Sequence, residues 1–385
     1  MFDCRNQTSR LHGLRANLQN RAYPSSFQFL KLLMQDCAAA HRETFMKATL
    51  WLNKSYSNTF NVVESLRQTQ PHESLRVICT HTQKGFIAGA VADHAELEPS
   101  ILRSADYLPF ALDFCLKNQV DLFLPGKHTN GMARHRARFE QQGTRLMVAA
   151  SSATLDLMES KEKQYQACPP DFPLPKWRCC RTLEEFDLAH AELAGTGATV
   201  CIKPTVSVYG LGFKILVGAG GRQHRLFSGD STHLGLDDCR RALGEKPAFR
   251  GLMVMELLPG PERSVDCLGH EGRLVCGVVR RKSNGAEPGQ WIEDHPAVLE
   301  WCARLTEHFK LTGLYNIQFK EDSLGNPLLL EINPRMSGGL AMACTAGVNF
   351  PLWAARLAMG SATPKDVPQP RTGFRVCMAN RAVML

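Results

Sequence analysis

Glu331-Ile332-Asn333-Pro334-Arg335, followed by Ser337-Gly338-Gly339, carries the sharpest pattern in the chain. It closes the second of two strand-like runs, Leu314 to Lys320 and Pro327 to Asn333, joined by Asp322-Ser323-Leu324-Gly325-Asn326. A connection so rich in turn-forming residues predicts a hairpin. Strand alternation places Tyr315, Ile317 and Phe319 on one face and Asn316, Gln318 and Lys320 on the other. On the partner strand it predicts Leu328, Leu330 and Ile332 together, with Glu331 and Asn333 opposite them. A carboxylate and an amide then leave the sheet side by side, next to Gln318. Hard oxygen donors on a rigid hairpin suit Mg²⁺, with substrate phosphates completing the shell. Arg335, just past Pro334, is placed to meet an anion.

Upstream, Thr199 to Lys203 reads as a short strand ending in Lys203-Pro204. A small-residue loop follows, Thr205 to Gly212, then a strand from Phe213 to Val217. A lysine at a strand end and the N–H groups of such a loop can hold phosphate oxygens, and glycines permit close approach. A plain hairpin explains the segment equally well. Leu252 to Leu257 is a strand running into Leu258-Pro259-Gly260-Pro261-Glu262, with another strand from Ser264 to Leu268. The backbone at Glu256 to Leu258 can pair with a purine edge, and Glu262 can take sugar hydroxyls. A proline turn between strands is an equal alternative.

Residues 47–150 alternate in period. Lys47 to Leu52, Leu75 to Thr80, Val120 to Leu124 and Arg145 to Ala150 suit buried strands. Phe60 to Gln68, Pro109 to Asn118 and Met132 to Gln142 suit helices. Such alternation predicts a parallel sheet with right-handed crossovers. No GxGxxG follows the first strand, and Gly126-Lys127-His128-Thr129-Asn130 lacks the upstream glycine of a phosphate loop. Four prolines fall among the eight residues from Cys168 to Pro175 and fix an extended connection. Thr182-Leu183-Glu184-Glu185 beyond it is a capping box that opens a helix to about Leu193. From Cys4 to Gln35 there are five basic residues and no acidic one. This predicts a dispensable extension before Met46, against the alternative of an acid-poor targeting peptide.

Length and composition agree with this reading. The chain has 385 residues, 44% of them hydrophobic and 21% charged, which predicts two or three globular domains and excludes a rod or a disordered chain. The net charge of +8 fits anionic small molecules as well as nucleic acid and decides little alone, but no aromatic-basic pattern supports nucleic-acid binding. The uncharged run after Arg335, Met336 to Ala355, contains glycines, Asn349 and Pro351, so it predicts loop and helix rather than a membrane span. The 14 cysteines show no metal or disulfide spacing and predict reduced thiols in the cytoplasm.

Taken in order, Ser160-Lys161, Ile202-Lys203-Pro204, the loop Ser207 to Gly212, Met255 to Asp266, Asn316 to Phe319 and Glu331 to Arg335 resemble the ATP-grasp superfamily. The style is that of carboxylate–amine ligases and the large subunit of carbamoyl phosphate synthetase. The resemblance spans about Ser160 to Gly360. It implies an α/β chain: an extension over 1–45, a parallel-sheet domain over 46–150, and an ATP-grasp fold of two α+β subdomains over 151–255 and 256–385. It further implies that Lys161 and Lys203 contact ATP phosphates and that Ser207, Tyr209, Gly210 and Gly212 belong to a mobile lid. Glu256 and Leu258 would meet adenine, and Glu262 the ribose. Gln318, Glu331 and Asn333 would hold Mg²⁺, or Mn²⁺ in its place. Arg335, with Arg280 or Arg281, would meet the transferred phosphate and the acyl group. Two departures stand out: Val206, Val208 and Tyr209 make the lid poor in glycine, and Ser160 stands where an acid is usual.

The implied activity is ATP-dependent ligation. A carboxylate is activated as an acyl phosphate, and an amine of amino-acid or small-peptide type displaces phosphate. Positioning and charge neutralisation supply most of such catalysis. The alternatives are a carboxylase or carbamoyl-phosphate type enzyme and a non-catalytic ATP-binding protein. The expected partners are a small carboxylate and an amine, with no nucleic acid or membrane and with room for a homodimer.

Overall fold

The computed structural model describes residues 47–54, 58–68, 74–101, 103–207, 210–218, 231–283, 288–379 and 381–384. All belong to one compact unit, Phe45–Leu385. The extension over 1–45 lies outside the described residues, as do Val208 and Tyr209 of the expected lid.

The first sheet is parallel throughout. Its strands are β1 (Lys47–Leu52), β2 (Ser74–His81), β3 (His94–Leu97), β4 (Leu122–Leu124) and β5 (Arg145–Leu146), in the order β3-β2-β1-β4-β5. Helices α1 (Thr59–Leu66), α2 (Ser104–Lys117), α3 (Thr129–Arg134) and α4 (Arg136–Gln141) connect them. Leu50 and Leu52 pack with Val62, Val63 and Leu66 of α1 on one side. Trp51 packs with Tyr107, Phe114 and Phe123 on the other. Both faces are covered, which is why β1 ends in the continuous apolar run Leu50-Trp51-Leu52.

Sequence and structure differ here in four places, of which the unexpected strand β3 and the start of α2 at Ser104, ahead of the expected Pro109, are two. The run expected to Ala150 leaves the sheet after Leu146, and the Ala149 carbonyl accepts from the Thr312 N–H instead. The helix expected over Met132 to Gln142 is two helices, divided at His135, whose φ of −111° and ψ of 21° break the helical path.

After α5 (Ser152–Met158) and α6 (Lys161–Ala167) comes a second sheet. It contains β6 (Trp177–Cys180), β7 (Val200–Pro204), β8 (Lys214–Val217), β9 (His233–Gly235) and β10 (Leu252–Glu256), with α7 (Leu183–Gly195) and α8 (Leu236–Leu243) between them. The order is β6-β10-β7-β8-β9, antiparallel except for the last pair. Helix α7 opens on the expected capping box: Thr182 accepts from the Glu185 N–H, and Glu185 accepts from the Thr182 N–H.

The third sheet is antiparallel, in the order β15-β14-β11-β12-β13-β16. Its strands are β11 (Glu262–His270), β12 (Arg273–Lys282), β13 (Gln290–Glu293), β14 (Gly313–Glu321), β15 (Pro327–Asn333) and β16 (Phe374–Val376). Helix α9 (Pro296–Phe309) covers one face by packing Val298, Cys302 and Leu305 on Tyr315, Ile317, Phe319, Leu329 and Ile332. The Met336 to Ala355 stretch is a loop and two short helices, α10 (Leu340–Cys344) and α11 (Phe350–Met359). Among the described residues no helix is long and apolar enough to cross a membrane. One core takes Leu50, Leu52 and Val77 from the first sheet, Phe350 and Leu352 from α11, and Leu268 and Val278 from the third sheet. The first and third sheets are thereby tied together.

The phase of β15 departs from simple alternation. Gln318 pairs with Glu331, but Phe319 pairs with Leu329, so Leu330 is a surplus residue in a bulge. Leu329 and Ile332 are the buried pair, whereas Leu328 and Leu330 are half-buried. Leu328 lies opposite Lys320, on the polar face. The expectation that Leu328 and Leu330 share the buried face with Ile332 is thus corrected. Glu331 and Asn333 keep the expected face.

Candidate active site

The face of the third sheet opposite α9 carries three cross-strand rows of polar side chains. Glu262 pairs with Lys320. Arg280, Ser264, Gln318 and Glu331 follow in register across four strands. Asp266, Asn316 and Asn333 form the next row. The side chains link along this face. The Asn316 amide donates to Ser264 Oγ at 3.0 Å and to Asp266 Oδ1 at 3.2 Å. Gln318 Nε2 donates to Asn316 Oδ1 at 3.3 Å. Asn333 Nδ2 donates to Glu331 Oε1 at 2.9 Å, and Arg335 Nη2 donates to Asn333 Oδ1 at 3.2 Å.

Two lysines converge on Glu331. Lys161 Nζ lies 3.4 Å from Glu331 Oε2 and donates to Ser207 O at 3.0 Å and to Ser207 Oγ at 3.3 Å. Lys203 Nζ donates to Leu330 O at 3.2 Å and sits over the Tyr165 ring. Burial pushes the Glu331 carboxyl up, but Lys161, the Asn333 amide and Lys203 together more than offset this, so its pKa lies below the usual range. Burial lowers Lys203 to about 8, with Lys161 adding to the drop and Glu331 opposing it. A cation in this environment lacks a full complement of counter-charge and favours an anion such as phosphate.

The second sheet supplies the facing wall. Lys203 pairs with Met253, and Cys201 with Met255 and Ile215, so these residues share one face. Cys201, Ile215, Met253 and Met255 form, with Tyr165, Phe213 and Leu257, an apolar cluster separate from the core beneath α7. The Glu256 N–H donates to Lys176 O and the Leu257 N–H to Thr199 O. Among the described residues the Leu258 N–H meets no backbone acceptor. The Glu256 carboxylate turns away from this face to accept from the Lys176 N–H at 2.7 Å. Glu262 is half-buried and paired with Lys282. At the end of the loop, Gly212 has φ +81° and a Cβ there would lie 2.7 Å from Pro204 Cγ, so only glycine fits. Gly210, with φ +69°, faces open space.

The three arginines separate. Arg335 is half-buried at the end of the hairpin, beside Asn333. Arg280 stands on the Gln318 face but is only 2% exposed. Its guanidinium holds Asp266 Oδ2 at 2.7 Å, Ser264 Oγ at 3.2 Å and Ser337 Oγ at 3.0 Å, and it also bonds Gln290. A Cβ on Gly339 would come within 2.5 Å of it, so the Ser337-Gly338-Gly339 turn lies directly on this arginine. Arg281 pairs in register with Arg263 and Phe319, on the opposite face, and donates to Glu293. The structure therefore brings Arg335 to the site, buries Arg280 beneath it and places Arg281 away from it.

The donor set fits a hard divalent cation. Glu331 offers a carboxylate held ionised, and Gln318 and Asn333 add amide oxygens within the same two rows. Among the described residues no cluster of three His, Cys, Asp or Glu side chains could hold a metal, so a cation here would need amide and substrate oxygens beside the Glu331 carboxylate.

Sequence reasoning missed Gln164, Tyr165 and Asp266. Gln164 and Tyr165 follow Lys161 by three and four residues, and that i+3, i+4 spacing on a helix was the available signal. Tyr165 Oη donates to Leu329 O at 2.7 Å and to Leu330 O at 3.0 Å. Asp266 belongs to the period-two polar series Glu262, Ser264, Asp266 on a strand buried along most of its length.

Residues 248–382 match the family model described as ATP-grasp in the biosynthetic pathway with Ter operon. Among curated proteins, carnosine synthase 1 of Gallus gallus is 28% identical over 149 residues, 34% of this chain and 16% of that protein. The chain thus spans about a sixth of the length of that relative. Among solved structures, the ADP complex of N5-carboxyaminoimidazole ribonucleotide synthetase superposes with a TM-score of 0.62 at 13% identity, covering 86% of this chain and 80% of the other. The L-amino acid ligase of Bacillus licheniformis superposes with a TM-score of 0.55 at 13% identity, covering 85% and 76%.

Proposed function

We propose that this chain, which has the ATP-grasp fold, is an ADP-forming ligase that joins a carboxylate to an amine. The observation carrying this reading is the convergence of Lys161, Lys203 and the Asn333 amide on one carboxylate, Glu331, with Arg335 bonded to Asn333 beside it. ATP would lie between the Cys201–Met255 face and the Glu262 row. Its adenine would rest on the apolar cluster near Leu258, its ribose at Glu262 and its phosphates at Lys161 and Lys203. Gln318, Glu331 and Asn333 would hold Mg²⁺ or Mn²⁺, which when bound neutralises charge on the transferring phosphoryl group.

The protein's own groups do the positioning. The lysines orient the phosphate chain, and Ser207, held by Lys161, brings the loop over it. Arg335 aligns the acid by charge. The acid oxygen takes the γ-phosphoryl group, ADP leaves, and the amine attacks the acyl carbon and expels phosphate. The likeness to an L-amino acid ligase supports an amino acid or small peptide as substrate. A second reading, with bicarbonate as the acid, is favoured by the likeness to the biotin carboxylase domain of Hydrogenobacter thermophilus 2-oxoglutarate carboxylase, whose structure holds MgADP and bicarbonate. The described cysteines are all free thiols, which fits a cytoplasmic setting, and assembly as a homodimer belongs to the same proposal.

The test is ADP release with Mg²⁺ across a panel of acids that includes bicarbonate, repeated with hydroxylamine to trap an acyl phosphate. Acid-dependent ADP release with a trapped hydroxamate is expected. Nucleotide binding without ADP release for any acid would overturn the ligase.

A further inference from the structure

The first sheet has a topological switch point. From β1 the chain moves to β2 and β3 on one side, then crosses back to β4 and β5 on the other. In open parallel sheets, ligands bind outside the carboxyl ends of the strands at such a point. Here that place lies between the ends of β1 and β4, and a cavity occupies it. Leu52, Leu124, Pro125, Ala149 and Met336 line it, and Arg335 stands at its rim.

The wall of this cavity is apolar for a structural reason. Asn53, 1% exposed, follows β1 and ties down the loop after β4. Its Oδ1 accepts from the Gly126 N–H at 2.7 Å and the Lys127 N–H at 3.1 Å, and its Nδ2 donates to Lys127 O at 3.2 Å. The Thr129 hydroxyl donates to Pro125 O at 2.8 Å. The Gly126 and Lys127 amides and the Thr129 hydroxyl, the groups nearest the cavity that could grip a phosphate, are thus already engaged. What remains is a hydrocarbon pocket with one cation at its rim, and that cation adjoins Asn333 and hence Glu331. The cavity measures ≈ 50 Å³, roughly three to four water-sized groups, which is the size of a valine or leucine side chain.

We infer that this cavity is the side-chain pocket for the acid substrate, an inference that rests on the ligase reading. The pocket selects a carboxylic acid with a compact branched aliphatic side chain, whose carboxylate pairs with Arg335. An acid with a charged side chain is rejected because its second charge would face a wall with no partner. Glycine is disfavoured because it leaves the pocket unfilled. Each methylene in such a pocket is worth roughly 10–200-fold in discrimination.

The test measures binding and turnover separately on the full chain. Calorimetric titration with glycine, L-valine, L-leucine, L-aspartate and L-phenylalanine is run in the presence of Mg²⁺ and a non-hydrolysable ATP analogue. ADP release with ATP is measured for the same acids. Valine or leucine should bind at least about tenfold tighter than glycine or aspartate. Met336→Ala, and separately Met147→Ala on the same wall, should shift preference toward phenylalanine, with melting curves confirming that each variant is folded. Equal binding of all the acids, or a preference that neither substitution moves, overturns the pocket. ADP release with other acids would then leave the ligase standing. Selective aliphatic binding without ADP release for any acid would instead keep the pocket and overturn the ligase.

Discussion

Gln164 holds both backbone groups of Ile332: its Oε1 accepts from the Ile332 N–H at 2.9 Å, and its Nε2 donates to the Ile332 carbonyl at 3.0 Å. β15 is an edge strand, so these groups face away from the sheet and need another partner. A side-chain amide imitates the missing strand. Gln164→Leu removes both bonds and leaves two buried polar groups unpaired, at about 1–3 kcal/mol each. A loss of that size in urea-denaturation stability is expected, together with weakened nucleotide binding as Glu331 shifts. Unchanged stability would mean that the edge is satisfied in some other way.

Glu331→Gln keeps the shape of the side chain and removes its charge. Folding should survive. Phosphoryl transfer should fall by about 10³-fold, roughly 4 kcal/mol at 1.36 kcal/mol per decade. The matching control is Leu329→Ala on the buried face of the same strand. It should cost about 2–5 kcal/mol of stability and leave turnover per folded molecule near normal. Steady-state ADP release and thermal melts on both proteins check the pair.

Lys203 gives a pH signature. With its pKa lowered to about 8, it loses its proton as pH rises past that value and can no longer neutralise phosphate. The affinity for ADP should weaken by about tenfold between pH 8 and pH 9 or just above. Stability of the nucleotide-free protein should change with the opposite sign. Between about 8 and the ordinary lysine value of 10.5 the unfolded chain binds the extra proton, so this group adds stability as pH rises through that window. Lys203→Arg cannot deprotonate and should flatten the binding profile. A slope that persists in that variant would assign the titration to another group.

The two neighbouring arginines should behave differently. Arg280→Met leaves Asp266, which is 1% exposed, without its ion-pair partner, and about 3–5 kcal/mol of stability should be lost. Arg281→Met removes a half-exposed contact to Glu293, which Arg263 still holds, and should cost at most about 1 kcal/mol. ADP release should be near normal for Arg281→Met. A large activity loss in that folded variant would contradict its placement on the far face.

Much of the site was legible because its signals are local. Turn residues marked the hairpin loop to within a residue of its ends, which lie at Glu321 and Pro327, and alternation put Glu331 with Asn333. The bulge was not legible. Leu328-Leu329-Leu330 is a run of three identical side chains, and nothing in it marks which residue is surplus. Gln164 and Tyr165 escaped because they bond to backbone more than 160 residues away, and a backbone partner leaves no trace in composition. Arg280 and Arg281 are adjacent, so alternation guaranteed opposite faces, but only the pairing with Ser264 showed which face each takes.

The surplus residue in β15 has a consequence of its own. Taking Leu330 out would leave every side chain of the strand on its present side, because Leu329 and Glu331 would simply become regular neighbours. What would vanish is a carbonyl, the one that receives both Tyr165 Oη and Lys203 Nζ. The strand is one residue longer than its ladder requires, and the extra peptide unit serves as a mooring point for a cation rather than as part of the sheet. At this position chain length itself carries information, whatever side chain the residue bears.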